Sequence, residues 1–141
     1  SVFDVEFSSR DTIIVMGDNL RNVIKNKTQR QEDVSFETST LMRYSMSESG
    51  TNAVLLSEYG SANKNILKVY NKSGKEVFSK KIESAVKNIY CNANTVGVLL
   101  DDKLVMYDIN GNEKEKINQK KIVLMFCFMA EIHIFMLLEK L

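Results

Sequence analysis

A chain of 141 residues, 44% hydrophobic and 26% charged, is long enough to bury a real core and has the balance of a soluble globular protein. Nineteen basic against 18 acidic residues leave a formal net charge of +1, which excludes a global field able to gather nucleic acid or an anionic membrane. Pro and Trp are absent while Asn, Lys, Ile and Ser are plentiful, the bias of an AT-rich genome.

The first residues, "SVFDVEFSSRD", have neither the basic start nor the apolar core of a signal peptide, so any leader or membrane anchor is expected upstream of Ser1. "VFDVEF" at 2–7 alternates as a half-buried strand does, and "TIIVM" at 12–16 follows the polar turn "SSRD". "GDN" at 17–19 leads into "LRNVIKN". The polar stretch "KTQRQED" precedes "VSFET", 34–38.

The next unit is cleaner. "LMRYSM" leads through the turn "SESGTN" to "AVLLSEY", then through "GSANKN" to "ILKVYN", and through "KSGK" to "EVFSKKI". A third unit repeats the plan with tighter loops: "AVKNIYC", "NANT", "VGVLL", "DDK", "LVMYDI", "NGN" and "EKEKI". Laid side by side, Tyr70 falls on Tyr107, Gly74 on Gly111 and Glu76 on Glu113. A poorer copy starts at Leu20 and lacks the glycine.

Glycine belongs in such a turn because a short hairpin needs a positive φ that Gly, Asn or Asp adopts cheaply. Asn110–Gly111 is the strongest hairpin signal in the chain, and Gly74 marks the equivalent turn. Four antiparallel strands recurring at about 40–45 residues is the signature of a propeller blade. The expectation is therefore an all-β, propeller-like stack of four-stranded antiparallel blades in one domain, 1–141. The blades fall at about 1–38, 39–82 and 83–119, with a partial one at 120–141. Closed propellers carry about 4–8 blades, so an incomplete propeller with uncovered end faces is expected.

The run from Asn65 to Ile117, with "LKVYNKSGKE" and "LVMYDINGNE" at its heart, resembles quinoprotein-like and WD-repeat-like propellers. More narrowly it is similar to an uncharacterised family of extracytoplasmic propeller-like proteins of Gram-positive bacteria. That resemblance implies an extracytoplasmic or cell-surface location and a membrane anchor outside this stretch. The Trp-Asp and Gly-His pairs of WD repeats and the docking tryptophans of quinone enzymes are missing, so no catalytic residue is carried over.

The tail "IVLMFCFMAEIHIFMLL", 122–138, is the most apolar segment. Glu131 and His133 near its centre speak against a membrane span, since a carboxylate in mid-bilayer costs roughly 2.5–3.5 kcal/mol. It drops the Asn/Gly punctuation of the other units, as a closing helix, a strand pair or a truncated or frame-shifted terminus would. Ile134 and Phe135 are the candidate association surface, through which a homo-oligomer is expected.

Candidate chemistry is sparse. His133 is the only histidine, which excludes a site built on two, and no Gly-rich phosphate loop is present. Cys91 and Cys127 read as buried thiols in corresponding strands. "DD" at 101–102 and "DINGNE" at 108–113 read as turn chemistry rather than calcium ligands, and "NKT" and "NKS" match the N-glycosylation acceptor in turns. No cofactor or metal is expected. The leading functional expectation is a non-catalytic interaction or scaffold module with a protein partner, not an enzyme. The alternatives are part of a quinone-dependent propeller enzyme whose catalytic residues lie elsewhere, and a carbohydrate- or peptide-binding β-domain.

Overall fold

A computed structural model describes residues 1–25, 29–58, 63–118 and 120. Cys127, His133, Ile134 and Phe135, with the rest of the apolar tail, lie outside the described residues. Three four-stranded antiparallel sheets follow one another, each a meander in chain order. The first holds β1 (Val2–Phe7), β2 (Thr12–Gly17), β3 (Leu20–Lys25) and β4 (Gln29–Ser35). The second holds β5 (Ser39–Met46), β6 (Asn52–Glu58), β7 (Asn65–Tyr70) and β8 (Glu76–Ile82). The third holds β9 (Val86–Cys91), β10 (Thr95–Leu100), β11 (Lys103–Asp108) and β12 (Glu113–Asn118).

The poorer copy that starts at Leu20 continues past its polar stretch as strand: Gln29–Ser35 forms β4 and pairs with β3 from Lys25↔Gln29 to Leu20↔Ser35. The last strand of a blade stands at the sheet edge and needs no apolar alternation, as the equally polar "EKEKIN" of β12 illustrates. Only Val34 and Ser35 of "VSFET" are strand. Phe36 leaves it, donating its N–H to the Asn19 carbonyl at 2.9 Å, and Glu37 then takes a positive φ of 52°.

The sheets stack face to face, and the middle one is buried on both sides. Every residue of β6 from Asn52 to Ser57 is buried. Ala53 and Leu55 join Leu67, Val69 and Ile82 against Ile89, Cys91, Val96, Val98, Leu100, Val105 and Tyr107 of the third blade. Val54, Leu56 and Tyr70 point the other way, against Met16 and Phe36. The unbroken apolar run "AVLL" follows from this, since a strand covered on both faces has no solvent side to mark with polar residues. Each such side chain contributes about 1.5–3 kcal/mol when taken out of water.

Blades two and three also join along their first strands. Arg43 Nε donates to the Lys87 carbonyl at 3.2 Å, and the Cys91 N–H donates to Ser45 Oγ at 3.0 Å. The outward faces of blades one and three have no described blade against them. Val5 and Phe7 are 50% and 64% exposed on the first, and Tyr90 is 68% exposed on the third.

Candidate functional site

The repeated phrase builds a turn, and the turn builds a socket. Asn71 donates its N–H to the Lys75 carbonyl, Gly74 donates to the Asn71 carbonyl, and Asn71 Oδ1 accepts from the N–H groups of Ser73 and Lys75. Asp108 repeats this with Asn112, Gly111 and Asn110. Each is a three-residue hairpin loop closed by a glycine in the left-handed region, at φ 93° for Gly74 and 84° for Gly111. Asn110 does not share the positive φ; its N–H is held by the Asp108 carboxylate at 2.9 Å. The pairing slips by one residue just before Tyr70↔Glu76 and just before Tyr107↔Glu113, so the two copies match in register as well as in letters.

A cation from the preceding blade enters each socket. Arg21 of β3, fully buried, lies 4.4 Å over the Tyr70 ring, and its Nη1 reaches the Gly74 carbonyl at 3.5 Å. Its Nε donates to Asn52 Oδ1, and Asn52 in turn donates to the Gly50 carbonyl at 3.1 Å. Lys80 of β8 lies 4.4 Å over the Tyr107 ring and donates to the Gly111 carbonyl at 3.4 Å. Phe78 flanks the same ring at 6.3 Å. The phrase recurs because each copy receives the blade before it, through ring electrons and one backbone carbonyl.

The turn "SESGTN", expected from the sequence, proves to be a third copy of the same closure. Ser47 donates to the Thr51 carbonyl and accepts from Gly50 N–H and, through Oγ, from Ser49 N–H. Its signal was legible as a Ser, Asn or Asp three residues before Gly, in "SESG", "NKSG" and "DING". Arg21 was missed. The signal was an Arg at an inward position of an alternating strand, opposite Met16.

The turns at one end of blades one and two frame a groove of about 300 Å³, lined by Ser8, Ser9, Asp11, Thr12, Lys25, Lys72 and Ser73. Gly50 lies beside it, where a Cβ would meet the Cβ atoms of Lys72 and Ser8 at 2.6 and 2.7 Å. Ser9 and Thr12 hydroxyls donate to Asp11 and hold its carboxyl below the usual value. The groove is lined by hydroxyls, two lysines and the Asp11 carboxylate that Ser9 and Thr12 engage.

The remaining sequence candidates among the described residues fall into structural roles. Cys91 is buried, its thiol pushed up by that burial while Sγ donates to the Ser45 carbonyl at 3.2 Å. Asp101 pairs with Lys87 at 3.0 Å and Asp102 with Lys103 at 3.7 Å. Among the described residues no group of His, Cys, Asp and Glu is placed to hold a metal ion, and no helix is long and apolar enough to cross a membrane.

Against known proteins, the model of a family of unknown function, DUF5711, matches residues 1–140. The chain belongs to DUF5711. That match to the DUF5711 model includes the apolar tail. No curated protein sequence gives a significant match to this DUF5711 chain. Among solved structures it is similar to a complex of KlAtg21 with the coiled-coil of AgAtg16, at 16% identity and a TM-score of 0.55, covering 85% of this chain and 40% of that one. It is also similar to a protein of unknown function from Bacteroides caccae, at 11% identity and a TM-score of 0.53, covering 84% and 46%. Kluyveromyces lactis Hsv2 aligns at 15% identity with a TM-score of 0.49, covering 83% and 37%. The first two of these neighbours are β-propellers, and the DUF5711 chain shares that fold; it spans less than half of each of the three.

Proposed function

We propose that this DUF5711 chain is a non-catalytic interaction module that takes a protein partner along its open first blade. The observation that carries the reading is β1, where Val2, Phe3, Val5 and Phe7 are 50–64% exposed on a strand at the edge of its sheet. An edge strand offers free main-chain groups for another strand, and aromatic side chains on it fill a partner's pockets. An apolar strip of this kind on a soluble chain marks a contact surface. The fold supports the reading, since a structurally similar propeller, KlAtg21, occurs in a complex with the coiled-coil of AgAtg16. The partner meets the chain outside the cytoplasm, in keeping with the resemblance to extracytoplasmic propellers.

The test places a photo-crosslinking residue at Phe3 and at Tyr90 in the source cell. Adducts to one protein from position 3, lost on Phe7→Glu, are expected. Equal labelling from both positions, insensitive to Phe7→Glu, would overturn the reading.

A further inference from the structure

Two positions break the pattern of the repeated turn, and both breaks put a lysine into one groove. In blades two and three the tyrosine after the pairing slip is followed by the acceptor that closes the turn, Asn71 or Asp108. Blade one slips between Val23 and Ile24, so Lys25 stands where that acceptor would be. An ammonium only donates and cannot close a turn in that way. The next position carries the second break. Ile109 of blade three packs onto the core, whereas its counterpart in blade two, Lys72, is exposed. Lys25 and Lys72 line the same groove of about 300 Å³, from two different blades.

The groove's other groups sort by what they can still do. Gly50 lets Lys72 and Ser8 approach each other, since a Cβ there would lie 2.6 and 2.7 Å from theirs. The Ser8 hydroxyl is buried with no hydrogen-bond partner among the described residues, a state that a ligand or an ordered water completes. Among the described residues neither the Lys25 nor the Lys72 ammonium has an ion pair or hydrogen bond. The hydroxyls of Ser9 and Ser73 already donate, to Asp11 Oδ1 and Asn71 Oδ1, so they offer lone pairs. Asp11 takes both of its hydroxyl donors at Oδ1, and Oδ2 keeps its capacity to accept. Those hydroxyls, and more weakly the charge of Lys25, keep its carboxyl below the usual value, so it is ionised at neutral pH.

Two ammoniums against one carboxylate leave the groove with one positive charge. A phosphate monoester, at about −1.5 to −2 near neutral pH, overshoots that charge beside Asp11. A carboxylate balances it. The acceptors on the groove wall call for donors on the rest of the ligand, and these are hydroxyls, because an added ammonium would cancel the carboxylate. A volume of about 300 Å³ stands at the lower end of small-molecule sites and exceeds what a bare carboxylate fills. We propose that this groove binds a small polyhydroxylated carboxylate, the chemistry of a sugar acid. Lys25 and Lys72 take its carboxylate from the two blades, while Ser9, Ser73 and Asp11 accept from its hydroxyls. The site goes beyond the partner reading above and does not depend on it.

NMR titration of the intact chain with glucuronate at neutral pH tests this, with acetate, glucose and inorganic phosphate titrated alongside. Saturable shifts at the amides of Ser8, Ser9, Lys25 and Ser73 are expected with glucuronate, and binding weaker by about tenfold or more with each of the other three. Lys25→Met and Lys72→Met should each weaken glucuronate binding about tenfold. Lys75→Met, exposed on the same turn but outside the groove lining, should leave it unchanged. Spectra that match wild type away from the groove show that all three variants are folded. Absence of saturable shifts with glucuronate overturns the proposal, as does binding indifferent to Lys25 and Lys72. Phosphate or acetate binding as tightly as glucuronate overturns the ligand class. A loss with Lys75→Met equal to that with Lys72→Met would mean diffuse charge and overturn the site.

Discussion

Gly111 shows how one residue serves two levels of structure. Its φ of 84° suits glycine, and a Cβ there would also meet Cγ of Phe78, on the neighbouring blade, at 2.9 Å. Gly111→Val is therefore expected to cost about 1–3 kcal/mol, read as a lowered midpoint in chemical denaturation; a loss of a few tenths would mean the residue does not hold that conformation. The two socket cations separate by burial. Arg21→Met is expected to cost about 2 kcal/mol or more and Lys80→Met about 0.5–1 kcal/mol, since a cation–π contact strengthens as it is desolvated. Denaturation of both variants in parallel checks the order, and equal losses contradict it. Cys91 gives a pH signature. Its thiol is pushed above 9.0, so the unfolded chain ionises first and binds fewer protons. Stability is then expected to fall as pH rises past that value, and Cys91→Ala to flatten the slope; an unchanged slope would show that the thiol is not buried as described.

At the scale of the element, the turn is the unit the chain reuses, and its cap can be exchanged between copies. Asp108 and Asn71 do the same work, but only the carboxylate titrates. The Asn112 amide and backbone hold its pKa below 3.8, so its contribution is present above that value and is lost as pH falls through the depressed one. Asp108→Asn should therefore keep the hairpin and remove its share of acid sensitivity, whereas Asp108→Ala should weaken it at neutral pH. Thermal unfolding at neutral and acidic pH distinguishes the two, and an alanine variant as stable as wild type would deny the cap its role. These turns were legible in the sequence because positive φ restricts residue choice to a few letters. β4 was legible only as the end of the poorer copy from Leu20, because an edge strand is specified by its neighbour's pairing rather than by its own pattern. Arg21 was hidden for a related reason: nothing in "LRNVIKN" says that a tyrosine ring from another blade will cover the guanidinium.

For the whole molecule, stability is a sum over shared faces rather than over self-sufficient blades. The middle blade is covered twice, and each end blade is covered once by a described neighbour. Sequence repetition made the stack legible, since a period of four strands has few other physical explanations. Amide hydrogen exchange tests the stacking account most directly. The slowest exchange is expected in β6 and β7 and the fastest strand exchange in β1, with Arg21→Met accelerating β6 and β7 further. Protection of β1 equal to that of β6, or rates indifferent to Arg21, would contradict it.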